Sequence, residues 1–134
     1  MNEGALDASA VLAVINREPG AAVVIAAMAG GRTVISAVNL SEVVAKLTER
    51  GLTEHQIGEV LAPLPFTVHP FDEVSAHRAG LLRRETRHLG LSLGDRACLA
   101  LAATLGVPAI TMEHAWGRLD LGIEVVVARP ASTA

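Results

Sequence analysis

A chain of 134 residues is long enough to bury a core without a structural metal and short enough to form one domain, and its single cysteine excludes an intrachain disulfide. A formal net charge of −3 excludes a polyanion binder held by bulk electrostatics, so any nucleic-acid contact must come from local patches. With 51% apolar but only 2% aromatic residues, the core must be built from closely approaching helices and short branched strands rather than large rings.

The opening Met1–Gly4 has no basic region followed by a long apolar run. No stretch approaches the ~20 uninterrupted apolar residues of a membrane span, and a soluble, unprocessed, cytoplasmic chain is expected. Ala5-Leu6 is a weak first strand that leads to Asp7 and a helix from about Ser9 to Arg17. Pro19-Gly20 breaks that helix before a second, apolar one through Met28, which Gly30-Gly31 ends. Thr33–Ser36 reads as a buried strand, and helical spacing resumes from Leu40 to Arg50 until Gly51 stops it. Thr53 and Gln56 have the form of a capping box, opening a helix that Pro63 terminates and that pairs with its predecessor around Gly51.

Phe66–His69 is the third strand, after which Asp72 caps a long helix reaching about His88. Ser92 and Asp95 form a second capping-box pattern, introducing an apolar helix that Gly106-Val107-Pro108 ends. Ala109–Thr111 and Ile123–Val127 supply the last strands. There is no internal repeat or linker, so one domain is expected over residues 1–129 with a frayed tail at Pro130–Ala134. Strands that are apolar throughout and separated by helices predict a parallel sheet covered on both faces, with right-handed crossovers.

In such a sheet ligands sit beyond the carboxyl ends of the strands. The polar residues there are acids: Asp7 after the first strand, Glu42 near the start of the helix after the second, Asp95 at the opening of its helix, and Glu113 two residues after Thr111. Each has an ordinary explanation. Asp7 can be an N-cap, Asp95 the third residue of a capping box, Glu42 the same device after Asn39, and Glu113 a solvated loop acid. All four explanations still crowd carboxylates on one edge. Two of them about 4 Å apart repel by roughly 4 kcal/mol at an effective dielectric near 20, which calls for a cation. With oxygen donors and no zinc-like Cys/His spacing, Mg²⁺ or Mn²⁺ is the natural candidate. Such an ion suits phosphodiester hydrolysis.

Four segments carry a family resemblance: Leu6–Leu12, Ser36–Val43, Leu91–Ala102 and Ile110–Trp116. In this order and at these separations they resemble the PIN-domain family, and the chain length and the Pro19-Gly20 break are similar to its VapC-type toxins. The resemblance covers nearly the whole chain. It implies a three-layer α/β/α domain with a mostly parallel five-stranded sheet, and a Mg²⁺- or Mn²⁺-dependent endoribonuclease site. Asp7, Glu42 and Asp95 match the family's first three acids, with Asp7 and Asp95 as principal metal ligands. Ser9 and Thr111 match the hydroxyl residues that orient the first acid and flank the fourth. It also implies a homodimer and a cognate antitoxin whose tail occupies the acidic cleft. The departure is Glu113, where the family usually has Asp in a Thr-x-Asp-x-x-Trp pattern; the charge is kept, its reach is changed, and Asp120 is a possible substitute. A domain that binds RNA and antitoxin with weak or lost catalysis is therefore the second reading.

Outside the acids, Arg83, Arg84 and Arg87 beside His88 form a basic run read either as a solvated helix face or, together with Arg96, as an RNA-phosphate patch. The five histidines lack recurrent ligand spacing, Cys98 lies in an apolar run as a buried thiol, and Trp116 either packs its loop or stacks on a base. Lys46, the only lysine, sits four residues after Glu42, where an ion pair explains it better than a phosphate-accepting regulatory site would. A haloacid-dehalogenase-like phosphatase would need a second Asp two residues after Asp7, where Ser9 stands instead.

Overall fold

The computed structural model describes residues 3–131, so Met1-Asn2 of the opening and Ser132–Ala134 of the expected tail lie outside the described residues. Five strands, β1 (Glu3–Leu6), β2 (Arg32–Ser36), β3 (Phe66–His69), β4 (Ala109–Thr111) and β5 (Val125–Val127), form one sheet in the order β3-β2-β1-β4-β5. Every neighbouring pair is parallel. The helices are α1 (Ala8–Asn16), α2 (Ala21–Ala29), α3 (Ala37–Glu49), α4 (Glu54–Leu61), α5 (Glu73–Leu81), α6 (Arg83–Thr86) and α7 (Leu93–Leu105).

Alternation along the central strands sorts the core into two layers. Leu6, Ile35 and Ile110 are register partners on one face, where Val11, Val24, Met28, Val43, Leu47 and Ile57 of α1 to α4 cover them. Ala5, Val34 and Ala109 point the other way, against Cys98, Leu99 and Ala102 of α7. Small residues on both sides of this second layer let α7 approach the sheet closely. The result is the three-layer α/β/α arrangement, with the sheet wholly parallel. Gly4 is required inside β1 because a Cβ there would meet Ile110 Cγ1 at 2.9 Å, and this accounts for a glycine in a buried central strand.

Several boundaries differ from those expected. The helix after Asp72 is not continuous to His88: α5 stops at Leu81, α6 is one turn, and Arg87–Leu89 is a 3₁₀ turn closed by Gly90 in the left-handed region. Thr86 donates its hydroxyl back to the Leu82 carbonyl at 2.8 Å, a bond that bends helices. The last strand begins at Val125 rather than Ile123, because β4 is only three residues long and its register partners are Val125–Val127, with Glu124 contributing just its carbonyl to Ala109 N at 2.9 Å. The helix expected from Leu40 starts at Ala37, with the Ser36 hydroxyl accepting from Val38 N at 3.2 Å as its N-cap. Both capping boxes are present, at Thr53/Gln56 and Ser92/Asp95. No single helix among the described residues is long and apolar enough to cross a membrane; the apolar pair α1 and α2 is bent by 105° and buries Val11, Val24 and Met28 in the core.

Candidate active site

The chain leaves β1 for β2 and β3 on one side of the sheet and returns to β4 and β5 on the other. The strand order therefore reverses at β1, and a crevice opens beyond the carboxyl ends of β1 and β4. A cleft of about 370 Å³ occupies this position, and Asp7, Ser9, Asn39, Glu42, Asp95 and Glu113 line one end of it.

Asp7 is the fixed point. Its residue is only 3% exposed, yet it caps α1 as the sequence suggested. Oδ1 accepts from Ala10 N at 2.8 Å and from the Ser9 hydroxyl at 2.7 Å, while Oδ2 accepts from the Thr111 hydroxyl at 2.6 Å. Both hydroxyls are themselves fixed by the backbone after β4: Ser9 Oγ accepts from Met112 N and Thr111 Oγ1 from Glu113 N, each at 3.0 Å. With two donors on Oδ1 and one on Oδ2, Oδ2 keeps a lone pair. Burial lifts this carboxyl from 3.8 to about 6, against the lowering effect of the Thr111, Ala10 and Ser9 hydrogen bonds and with a further push from the Asp95 charge.

Asp95 and Glu42 arrive from α7 and α3. Asp95 Oδ2 accepts from Ser92 N at 2.9 Å in the capping box, and among the described residues Oδ1 has no hydrogen-bond partner. The capping bond thus uses only one of the two oxygens of an acid that also lines the cleft. Glu42 is no partner of Asn39 in a cap, because α3 already begins at Ala37; partial desolvation of its carboxyl against α7 and then the Asp95 charge hold it above the ordinary range, although the residue as a whole is exposed. Its carboxylate rests where Gly94 has no side chain: a Cβ there would meet Glu42 Cδ at 2.5 Å.

Asn39 and Gly94 are the residues whose site role sequence reasoning missed. Asn39 is buried, its Oδ1 accepting from Ala8 N at 3.1 Å and its Nδ2 donating to the Gly94 carbonyl at 3.0 Å. It ties the start of α1 to the start of α7 through α3. Its position one turn before Glu42 was the available hint, although the same pattern reads as a cap. Gly94 carried no hint, since its role depends on a contact across α3 and α7.

Glu113 is exposed but lines the cleft, whereas Asp120 is exposed and lies outside it. The expected Lys46–Glu42 pair is not formed; the Lys46 ammonium lies 3.8 Å from Glu49 Oε2, on the next turn of α3 away from Asp95. Arg83, Arg84 and Arg87 are exposed but divided between α6 and the 3₁₀ turn, so they do not make one helix face. Arg96 is partly buried and donates to the Ala79 carbonyl at 2.9 Å, bracing α7 against α5. Trp116 is 1% exposed and packs in the α7 layer, which removes it from base stacking. Cys98 is buried, donates to the Ala5 carbonyl, and has its thiol pushed up by burial.

Among the described residues no three His, Cys, Asp or Glu side chains are already drawn together as one coordination sphere. The donors nonetheless fit a hard divalent cation. They are oxygen atoms only, Asp7 Oδ2 and Asp95 Oδ1 have free lone pairs, and the negative charge of Asp95 acts on both Asp7 and Glu42.

Fold and site together define an α/β domain with an acidic crevice at the reversal of its sheet. The PIN domain family profile matches residues 5–121, and the chain belongs to that family. PIN domains are generally nucleases, and these generally use divalent metal ions. Among solved structures the chain is similar in fold to VapBC2 from Rickettsia felis bound to a promoter DNA fragment, with TM-score 0.73 and 17% identity over 92% of this chain and 97% of that one. It is also similar to a toxin–antitoxin complex from Klebsiella pneumoniae, with TM-score 0.72 and 21% identity over 96% and 99%. A third is VapBC-5 from Mycobacterium tuberculosis, with TM-score 0.61 and 23% identity over 97% and 100%. No curated protein matches the chain.

Proposed function

We propose that the protein is a metal-dependent endoribonuclease, the toxin of a type II toxin–antitoxin pair, hydrolysing RNA phosphodiester bonds in the cytoplasm with Mg²⁺ or Mn²⁺. The observation that carries this reading is the meeting of Asp7, Glu42, Asp95 and Glu113 in one cleft with Asp7 held by Ser9 and Thr111. Asp7 through Oδ2 and Asp95 through Oδ1 would hold the metal, and a bound divalent ion supplies an acidified water and a Lewis acid for the phosphoryl oxygens. Glu42, made more basic by partial desolvation and by Asp95, is suited to take the proton of the attacking water. Glu113 extends the acidic wall from the β4 side. Arg83, Arg84 and Arg87 are candidate phosphate contacts outside the cleft, with Arg96 in a bracing position behind them.

The partners that go with this reading are a cognate antitoxin, since the solved relatives are toxin–antitoxin complexes, and a second copy of the chain. Purified protein is expected to cleave a structured RNA with Mn²⁺ or Mg²⁺, and Asp95→Asn to abolish cleavage. Cleavage that persists in excess EDTA would rule the mechanism out. Glu113 favours the second reading, an RNA- and antitoxin-binding domain with weak or lost catalysis. Activity that appears only on Glu113→Asp would support that alternative, and an active parent chain would remove it.

A further inference from the structure

The acids occupy only one end of the cleft. At its other end the cleft runs between α1 and α3 over Leu12 and Ala45 to Lys46 and Glu49. Residues 42, 45, 46 and 49 recur at i, i+3, i+4 and i+7, so a single face of α3 forms this wall. We propose that Lys46, with the apolar floor of Leu12 and Ala45, forms a subsite for the nucleotide next to the scissile phosphate of single-stranded RNA, the ammonium holding that nucleotide's phosphate. The inference rests on the hydrolytic reading above and deepens it.

Three observations carry it. Lys46 is the only lysine in the chain and, among the described residues, the only Lys or Arg lining the cleft. It does not serve as countercharge to the acid cluster, because its ammonium is turned toward Glu49 and no cation lowers Glu42. Its ion pair is also loose: 3.8 Å long, with side chains 60% and 71% exposed, so an incoming phosphate can displace Glu49 at little cost.

The charge balance requires such a group. A polyanion entering between Glu42, Glu49, Asp95 and Glu113 is repelled, and a metal held by Asp7 and Asp95 offsets this only at the scissile phosphate. The neighbouring phosphate needs a cation of its own. Lys46 stands one helical turn from Glu42, about 6 Å along the axis, on the scale of one nucleotide step. Within this cleft of about 370 Å³, Leu12 and Ala45 offer apolar contact to the ribose or base of an unpaired strand.

The test is steady-state cleavage of a labelled single-stranded RNA with Mn²⁺ by the full chain and its K46Q, K46R and E49Q variants. K46Q is expected to raise KM about tenfold with kcat within about twofold, as loss of one charged contact implies. The dependence of log kcat/KM on log salt should become shallower by about 0.7. K46R should restore most of KM, and E49Q should lower it. An unchanged KM and salt slope in K46Q, or a loss confined to kcat, would overturn the proposal. Should the parent chain cut no RNA, the hydrolytic reading fails separately, and metal-free binding of the same RNA by fluorescence anisotropy decides: affinity weaker by about tenfold in K46Q supports the subsite, and equal affinities refute it.

Discussion

The Thr111 hydroxyl donates to Asp7 Oδ2 across 2.6 Å, joining side chains 104 positions apart at the carboxyl ends of two adjacent strands. The same oxygen accepts from Glu113 N at 3.0 Å, so one hydroxyl fixes the innermost acid and the backbone that carries the outermost one. Thr111→Val keeps the shape and removes both bonds. It should cost about 1–3 kcal/mol, read from urea unfolding, and Thr111→Ser should recover most of that. Equal stability of Thr111→Val and the parent would mean that the hydroxyl does not hold the site.

The Asp7 carboxyl provides a pH signature. Its folded-state value, about 6, lies above its ordinary 3.8, so the folded chain binds this proton more tightly than the unfolded chain does. Its contribution to stability is therefore complete below about pH 4 and is lost as pH rises through about 6, by up to roughly 3 kcal/mol. In EDTA, urea unfolding from pH 4 to 8 should show this decline in the parent and a flatter profile in Asp7→Asn. Added Mn²⁺ should restore stability to the parent chiefly above pH 6. Parallel profiles for the two proteins would contradict the assignment.

The difference between what could and could not be read from the chain has a physical basis. The short apolar runs at Ala5-Leu6, Thr33–Ser36 and Ala109–Thr111 and the hydroxyl-led boxes at Thr53 and Ser92 depend on neighbours in sequence, and these strands and the two boxed helix starts appear where such patterns put them. The four acids were visible for the same reason, since each follows a strand or opens a helix. Asn39, Gly94 and the Lys46–Glu49 pair depend on which helix lies across from which, and local spacing suggested a cap, nothing, and the wrong partner. The break at Leu82 was hidden because Gly80, the one glycine between Asp72 and Gly90, lies within α5 rather than after its last residue, and the Arg-rich stretch that follows carries no proline.

Gly94 should be irreplaceable for the site and dispensable for the fold. Gly94→Ala adds a methyl group where the Glu42 carboxylate lies, but Glu42 is exposed and can swing away, and alanine gains about 1 kcal/mol in helix propensity. Unfolding free energy should therefore change by less than about 1 kcal/mol while cleavage falls by about tenfold or more, since a misplacement near 1 Å can cost about a hundredfold. Unaltered cleavage would show that the position of Glu42 is unimportant.

Asn39, unlike Gly94, should be needed by the fold as well as by the site. Asn39→Ala leaves Ala8 N and the Gly94 carbonyl without their partner, and the loss of one buried and one part-buried bond should cost about 2–4 kcal/mol in urea unfolding. Loss of cleavage with full stability would assign Asn39 to substrate contact instead.

Diffraction from crystals of the full chain grown with Mn²⁺, with the ion located by its anomalous signal, tests the central claim most directly. The account predicts one Mn²⁺ in the cleft, coordinated by carboxylate oxygens of both Asp7 and Asp95, and its absence from Asp95→Asn crystals. A cleft without Mn²⁺, or an ion bound away from Asp7 and Asp95, would contradict it.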